Sequence, residues 1–329
     1  MSGIDLSAVG NPLVRDLDTQ PRLGLALGSG AARGLAHIGV LKVLEEAKTP
    51  VHGIAGTSIG AFIGALYAAG VPVQRMETAA CELDWRKLAR LLNPTVPISG
   101  LVDGRKLVEF MAELLPVHNF EGLQLPLAVT ATDIETGEAL IIRKGDLLEA
   151  LRAALAFPGI FPPVRFDNRF LVDGGLCNPV PADVVRHLGA NRVIGVCTIP
   201  DVDKQTPEAF MPSSGTSGEQ SWHRDIFTAT GIEQLFRRLL GSSSALEMAA
   251  ESSDRKVPGI FRVCAQSVAI MENQINSLRL ADNHHDLIIR PKCPGVTLLE
   301  FHRASEVIAA GEEAARAALP EIRQLVASR

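Results

Sequence analysis

The sequence predicts an α/β protein built on a largely parallel sheet. Two observations support this fold class. Short apolar segments and longer amphipathic segments alternate as strand, helix, strand, helix within about 50 residues near the start of the chain. The chain has 329 residues, of which 47% are hydrophobic. This length and composition allow a substantial core in one large domain or two small ones.

The first predicted elements form two strand–helix pairs. The apolar run RLGLALG, Arg22 to Gly28, is the first strand, and SGAARGLAHIGVLKVLEEA continues as a helix with a broad apolar face. VHGIAG is the second strand, and SIGAFIGALYAAG is a second helix that stops at Gly70 and Pro72. Units of this kind are typical of parallel sheets.

The remaining segments continue the alternation. LPLAVTATDIETGEALIIRKGD predicts two strands around the turn Glu135-Thr136-Gly137. The later predicted elements are the helix LLEALRAALAF, the strand RFLVDGG, the short helix PADVVRHLG, the buried strand NRVIGVCTI, helices around 226–240 and 261–280, the strand DLIIRP and an amphipathic helix over 301–329.

One domain with an insertion fits the sequence better than two domains. Residues 1–22 predict a flexible N-terminal segment before a single domain at 23–329. Residues 201–260 begin with a stretch rich in proline, serine and glycine, which predicts a flexible or lid-like insertion. Within it, Phe227–Leu240 combines apolar residues with two arginines. This pattern predicts either a helix that contacts a membrane surface transiently or ordinary core packing.

Composition and charge argue against several functions. The net charge is −5 and the sequence has no long run of basic residues, so it gives no sign of the positive surface that binds nucleic acid. The five cysteines are scattered and form no C-x-x-C pair, so neither a disulfide framework nor a metal site is expected. The N-terminus lacks the basic and apolar regions of a signal peptide, which favours a cytoplasmic protein. The oligomeric state is not readable.

The stretch VHGIAGTSIGAFIGALYAAG allows three interpretations. A membrane span is disfavoured, because the glycines, Thr57, Ser58 and Pro72 leave the stretch weakly hydrophobic. A buried strand and helix with closely packed small residues is the second interpretation. The third is a G-x-S-x-G nucleophile elbow, in which Gly56 and Gly60 remove steric collisions around Ser58. The last two are compatible, and a helix N-terminus after the serine favours developing negative charge.

The turn GSGAARG, Gly28 to Gly34, also lies between a strand and a helix. A dinucleotide fingerprint would need its third glycine at Arg33 and an acid at the end of the second strand. A P-loop would need lysine and then serine or threonine after its second glycine. The remaining interpretations are a plain tight turn and an oxyanion hole, whose backbone N–H groups are left open by small residues.

A nucleophilic Ser58 also needs a proton acceptor. Asp173 ends an apolar strand and precedes Gly174 and Gly175, and the ends of strands in parallel sheets collect site residues. A simple Asp-Gly turn is the alternative. The histidines after Ser58 carry no obvious catalytic signature, although they leave a Ser-His-Asp arrangement open. They are His118, His187, His223, His284, His285 and His302.

The three motifs GSGAARG, GTSIG and DGG, in this order, resemble those of the patatin-like phospholipase family. LALGSGAARGLAHIGVLKVLEE and ALRAALAFPGIFPPV resemble the family's first strand–helix unit and its lead-in to the aspartate strand. The match covers about Leu23 to Thr198. The resemblance implies a three-layer α/β/α sandwich with a mainly parallel central sheet. It also implies hydrolysis of acyl esters of lipids without a metal or cofactor.

Carried onto this sequence, the resemblance implies a dyad in which Ser58 is the nucleophile and Asp173 is the base. The implied oxyanion-hole residues are Gly28, Ser29, Gly30 and Ala31. The implied supporting residues are Arg33, Gly34, Gly56, Gly60, Gly174 and Gly175. Ser29 and Ala31 depart from the family, in which glycines are frequent at these places, but both residues are small.

The residues leave two other functions open. The insertion at 201–260 is compatible with a regulatory or adaptor protein on the same scaffold with little turnover. The histidines are compatible with a Ser-His-Asp carboxylesterase or thioesterase. The head group, acyl length and positional preference of a lipid substrate are not readable from the sequence.

Overall fold

The computed structural model describes residues 20–83, 87, 88, 91, 104–199, 260–282 and 284–327. These residues fold around one sheet of eight strands. The strands are β1 (Leu23–Leu27), β2 (Gly53–Thr57), β3 (Leu127–Asp133), β4 (Ala139–Ile142), β5 (Val164–Phe166), β6 (Arg169–Asp173), β7 (Arg192–Val196) and β8 (Leu287–Ile289).

Helices accompany the strands along the chain. They are α1 (Ala36–Glu46), α2 (Ile59–Ala68), α3 (Val73–Cys81), α4 (Arg105–Leu114), α5 (Leu147–Ala154), α6 (Ala182–His187), α7 (Ile260–Ala281) and α8 (Ala304–Ala327). Short 3₁₀-helical turns cover Ala31–Leu35, Phe120–Gly122, Gly174–Leu176 and Phe301–Arg303.

The strand order is β5-β6-β3-β2-β1-β7-β8, and β4 also pairs with β3. Strands β3, β2, β1, β7 and β8 are parallel neighbours. Strands β4, β5 and β6 join the sheet by antiparallel pairing. The predicted α/β class with a mainly parallel central sheet is therefore confirmed.

The two faces of the sheet carry side chains of different size. Leu25, Leu27 and Ile54 lie in the larger apolar core, which includes residues of α1, α2 and α8. Ala26 and Ala55 lie in a smaller core with residues of α6. Because successive side chains of a strand point to opposite faces, the strands separate the two cores. Helices therefore cover both faces, as the three-layer sandwich requires.

Helices α1 and α8 cross in direct backbone contact. A Cβ atom added to either Gly39 or Gly311 would overlap the backbone of the other helix. Lys42 and Glu312 form an ion pair of 2.8 Å between the same two helices. The last helix is thus fixed to the helix that follows the glycine-rich turn.

The predicted elements that lie within the described residues occur in the predicted order, with two corrections. Helices α3 and α4 and strand β5 lie in segments for which the sequence predicts no element. The helix predicted to follow β1 at once begins as the 3₁₀ turn Ala31–Leu35 and becomes α-helical at Ala36. The positive φ angles of Gly30 and Ala31 prevent an earlier start, because α-helical residues have negative φ. The expectation that Asp173 ends a parallel strand is wrong, since β6 runs antiparallel to β3.

Several predictions fall outside the described residues. They concern the N-terminal segment up to residue 19 and nearly all of the insertion at 201–260, including Phe227–Leu240. Among the described residues, no helix combines the length and the hydropathy that crossing a bilayer would need. The stretch VHGIAGTSIGAFIGALYAAG forms β2 and α2, which removes its interpretation as a membrane span.

Candidate active site

Ser58 occupies a sharp turn between β2 and α2. Its backbone angles, φ 55° and ψ −127°, are rare for a residue other than glycine and cost about 1–3 kcal/mol. A Cβ atom at Gly56 would overlap the backbone of Ala61, and one at Gly60 would overlap the carbonyl oxygen of Leu27. The two glycines therefore make room for the turn, as the G-x-S-x-G pattern predicts.

The Ser58 hydroxyl donates a hydrogen bond to the Asp173 carboxylate, with 2.6 Å between Oγ and Oδ2. The other carboxylate oxygen, Oδ1, accepts the backbone N–H of Gly175 at 2.9 Å. The Asp173 carbonyl oxygen accepts the Thr132 hydroxyl, also at 2.9 Å. A Cβ atom at Gly174 would overlap the backbone of β3, so the chain turns away tightly after the aspartate. The carboxylate is thus held with one oxygen directed at Ser58.

The sheet brings Ser58 and Asp173 together along one edge of β3. Thr130 pairs with both β2 and β4, so these two strands lie on opposite edges. Ala131 pairs with both β4 and β6, so β6 lies on the same edge as β2. Strands β2 and β6 therefore approach each other head to head, and their C-terminal ends meet between Thr130 and Ala131.

Burial gives the Asp173 carboxyl group the basicity that a proton acceptor needs. It raises the pKa of Asp173 to about 6, and the hydrogen bonds from Ser58 and Gly175 oppose the rise. The group is ionised at neutral pH, yet it is more basic than a carboxylate in water. A general base requires this combination.

The glycine-rich turn supplies two open backbone donors instead of four. The N–H of Gly28 donates to the last carbonyl of β7 at 3.0 Å, and the N–H of Ser29 donates to Pro179 at 2.9 Å. In the described part of the chain, the N–H groups of Gly30 and Ala31 donate to no acceptor. The oxyanion hole stays a prediction: the N–H groups of Gly28 and Ser29 are engaged in the turn, and those of Gly30 and Ala31 are the open donors among the four residues.

The conformation of the turn depends on small residues. Ala31 has a positive φ of 49°, which is strained for alanine. A Cβ atom at Gly30 would overlap the hydroxyl of Thr198, and one at Gly34 would overlap the side chain of Ile59. Gly34 thus allows the turn to pack against the first residue of α2, next to the proposed nucleophile.

His37, which the sequence did not single out, fixes the turn from helix α1. It is fully buried, and its Nε2 lies 2.8 Å from the carbonyl oxygen of Gly28. Burial lowers the pKa of His37 to about 4, so the ring is neutral and its Nε2–H donates to that carbonyl. A single histidine on an otherwise apolar helix face was the only sequence signal for this role.

The C-terminal part of the chain holds the turn from the other side. The N–H of Ala32 donates to the carbonyl of Leu298 at 3.0 Å. The buried guanidinium of Arg33 donates to the carbonyl of Val296 at 3.3 Å. This bond links Arg33 to a segment more than 260 residues away in sequence. The resemblance implies that Arg33 steadies the turn or a nearby anionic group, and the bond is compatible with the first of these roles.

Ser58 and Asp173 open into one large apolar cavity. The space inside it that water molecules could occupy is about 170 Å³, and the cavity is partly open to solvent. Leucine, isoleucine, phenylalanine and other apolar side chains, many from α2, α3 and α4, form its walls, together with Ala31 and Leu298. Apart from Asp173, Arg75 is the only charged residue among the described lining residues. A cavity of this character suits a hydrocarbon chain.

Neither a histidine nor a metal-ligand cluster accompanies the two residues in the described structure. No described histidine lines the cavity. No group of three histidine, cysteine, aspartate or glutamate residues there could hold a metal ion. The acceptor that the Ser58 hydroxyl does reach is Asp173, through the hydrogen bond described above.

With this fold and this arrangement of motifs, the chain belongs to the patatin-like phospholipase family. Residues 25–186 match the family model described as patatin-like phospholipase. An uncharacterised NTE family protein of Mycobacterium tuberculosis is 31% identical over 335 aligned residues, which cover 92% of either chain. The family resemblance carried by the three motifs is confirmed, and membership implies a lipid hydrolase.

The chain is also similar to one human protein over part of its length and to one solved structure. Patatin-like phospholipase domain-containing protein 6 of Homo sapiens is 38% identical over 207 residues, which are 61% of this chain and 14% of that protein. The crystal structure of VipD from Legionella pneumophila aligns with a TM-score of 0.42 at 13% identity. This alignment covers 94% of this chain and 67% of that one.

Proposed function

We propose that this protein is a metal-independent serine acyl hydrolase that cleaves fatty-acyl esters of phospholipids, lysophospholipids or related lipids. The observation that carries the proposal is the 2.6 Å hydrogen bond from Ser58 to Asp173 beside an apolar cavity. Membership of the family supports the class of substrate. In this proposal Ser58 is the nucleophile, Asp173 is the base, the open backbone N–H groups bind the oxyanion and the cavity takes the acyl chain.

The first half of the reaction forms an acyl-enzyme. Asp173 takes the proton of Ser58 as Oγ attacks the carbonyl carbon of the ester. The N–H groups of Gly30 and Ala31 stabilise the oxyanion of the tetrahedral intermediate. When the intermediate collapses, the bond between the carbonyl carbon and the alcohol oxygen breaks. Asp173 returns its proton to that oxygen, and the acyl group stays on Ser58.

The second half reverses these roles with water. Asp173 accepts a proton from a water molecule while the oxygen of that water attacks the acyl carbon. The second tetrahedral intermediate collapses and breaks the bond from the acyl carbon to Oγ. Ser58 recovers the proton from Asp173, and the fatty acid leaves.

The replacement Ser58→Ala is expected to lower hydrolysis of p-nitrophenyl esters by about a thousandfold or more, because alanine offers no nucleophile. It should also abolish covalent labelling by a fluorophosphonate probe, whose position in the wild type is found by peptide mass spectrometry. Ser305→Ala, an exposed position on α8, is the matched control and should keep both properties. Full activity in Ser58→Ala would contradict the proposal. Release of fatty acid from phospholipid vesicles by the wild type alone would support lipid esters as the substrate.

Long acyl chains are expected to be better substrates than short ones. Each methylene group buried in the cavity contributes about 0.8 kcal/mol. Across monomeric p-nitrophenyl esters from butyrate to decanoate, kcat/KM should therefore rise by at least about tenfold. Equal values along the series would show that the cavity does not hold the acyl chain.

The two other functions make different predictions. An adaptor protein with little turnover would leave Ser58 unlabelled by the fluorophosphonate. A Ser-His-Asp esterase would lose activity when one histidine is replaced by alanine, and would keep activity in Asp173→Asn.

Transient contact with a membrane surface also belongs to the proposal. Co-sedimentation of the protein with phospholipid vesicles tests this contact. The same experiment with a deletion of 205–245 tests the part played by the insertion.

A further inference from the structure

Glu272 of α7 is a buried acid that the proposed reaction does not use. Its side chain lies against Gly175, since a Cβ atom there would overlap the Glu272 Oε1 atom. Gly175 is the residue whose N–H holds Asp173. The hydroxyl oxygen of Ser29 lies 3.2 Å from the same Cβ position. Glu272 therefore stands between the turn after β6 and the glycine-rich turn, and it is only 8% exposed.

Helix α7 has an unusual distribution of side chains. Its buried side carries the polar residues Glu272, Asn273 and Asn276, whereas Met271 and Leu278 are 49% and 71% exposed. Val268 and Ala269 add apolar burial on the same helix. At the 3₁₀ turn Gly174–Leu176, however, the Glu272 carboxyl makes the close contact, so its charge state affects how firmly the helix packs there.

Two charged groups face Glu272 from other elements, Asp173 at the end of β6 and Arg33 in the glycine-rich turn. Burial and the charge of Asp173 raise the pKa of Glu272 to about 8, and Arg33 opposes them. Arg33 makes no direct hydrogen bond to Glu272 in the described structure, and its Nε is buried without a partner there. The buried Ser29 hydroxyl also lacks a partner in this part of the chain, so an uncharged carboxyl has an acceptor nearby.

The effect of this carboxyl on the reaction comes through packing. During the proposed attack, negative charge moves from Asp173 to an oxyanion beside Gly30. Glu272 lies near both turns. Its own negative charge would favour proton transfer to Asp173 and would oppose formation of the oxyanion. An ionised carboxylate without an ion-pair partner is nevertheless costly to keep buried. It is stabilised most simply when α7 separates from the turn and water enters.

We propose that Glu272 is a positioning residue: in its uncharged form it docks α7 onto the turn after β6, and loss of its proton favours release of the helix. The docked helix covers Gly175 and so preserves the N–H that orients Asp173. The direction of the pH dependence follows from which state of the helix binds the Glu272 proton more tightly. The docked state binds this proton more tightly than the released state, so docking is strongest at low pH and weakens as pH rises from about 4.5 to about 8.

Hydrogen exchange with mass spectrometry tests this proposal on the full-length protein. Between about pH 6.5 and about pH 8, opening of peptides from 267–281 and 174–176 in the wild type should increase by about tenfold or more, after correction for intrinsic exchange. In Glu272→Gln, which mimics the uncharged acid, the increase should stay below about twofold. Asp173 is mostly ionised in this window, so it contributes little to the difference.

The matched control is Glu321→Gln, an exposed position on α8, which should keep the wild-type pH dependence. If Glu272→Gln fails to fold, Glu272→Ala serves with the same expected loss of pH dependence. The proposal is overturned if the glutamine or alanine variant retains the wild-type increase, or if the wild type itself shows none. Because exchange is measured without substrate, this outcome is independent of the esterase assays.

Discussion

Replacing Asp173 by asparagine is expected to abolish hydrolysis and to make the protein more stable at neutral pH. The amide cannot accept the Ser58 proton, so kcat should fall by about a thousandfold or more. It can still accept the N–H of Gly175, so the turn should keep its shape. The p-nitrophenyl ester assay measures the first effect, and urea denaturation measures the second.

The gain in stability follows from the burial of the carboxylate. Because burial raises the pKa of Asp173 from 3.8 to about 6, the folded protein binds this proton more tightly than the unfolded chain. Wild-type stability is therefore lost as pH rises from about 4 to about 6, and stays lower above that range. Asparagine removes this penalty, and the free energy of unfolding near pH 7 should rise by about 1–3 kcal/mol. The difference should shrink below about pH 4.

Asp133→Asn is the matched control, because it also neutralises an acid at the end of a strand. The Asp133 carboxylate accepts the N–H of Glu135 at 2.9 Å and pairs with Arg169 at 2.7 Å. The backbone hydrogen bond and Arg169 lower the pKa of Asp133, so its ionised form stabilises the fold. This variant should lose stability at neutral pH. Activity retained in Asp173→Asn, or the same sign of stability change in both variants, would contradict the assignment of Asp173 as the buried base.

Gly60→Ala is expected to cost about 3 kcal/mol or more of folding free energy, or to prevent folding. The added methyl group would overlap backbone oxygens of Leu27 and Gly28, which β1 and the glycine-rich turn hold in place. Helix propensity alone would favour alanine by about 1 kcal/mol, so the steric effect must exceed that gain. Chemical denaturation, or the soluble yield when folding fails, measures the loss.

Gly53→Ala is the control within the same strand–turn–helix unit. A Cβ atom there meets its nearest neighbours, Leu188 and Pro126, at 3.6 Å, which is ordinary contact. This variant should fold with a stability close to that of the wild type. Equal stability of Gly60→Ala would show that α2 can move away from β1 without cost, and the close packing inferred at Ser58 would then be wrong.

The sequence predicts the nucleophile turn well because its cause is local. A serine on a tight turn needs small neighbours two residues away on either side, and Gly56 and Gly60 show this within five positions. Asp173 is harder to predict, since 115 residues separate it from Ser58. The motif order indicates the partner, but the head-to-head approach of β2 and β6 depends on which edge of β3 each strand occupies. No strand pattern encodes that choice.

The features of the site that the sequence does not predict depend on residues that are far away in the chain. Whether an amide of the glycine-rich turn is open depends on distant acceptors, and Pro179 occupies the N–H of Ser29. His37 and Glu272 are ordinary polar residues in helical segments until their buried neighbours are known. Periodicity predicts apolar residues on the covered side of a helix, but α7 also buries the polar residues Glu272, Asn273 and Asn276.

The hydrogen bonds from the C-terminal segment also affect the order in which the site can be completed during synthesis. The family match ends at residue 186, and Ser58 and Asp173 both lie before that point. The carbonyls of Val296 and Leu298, which hold the glycine-rich turn, come more than 100 residues later. A nascent chain on the ribosome therefore contains Ser58 and Asp173 before it contains this support. We expect the glycine-rich turn to reach its final conformation only after the segment with Val296 and Leu298 has emerged.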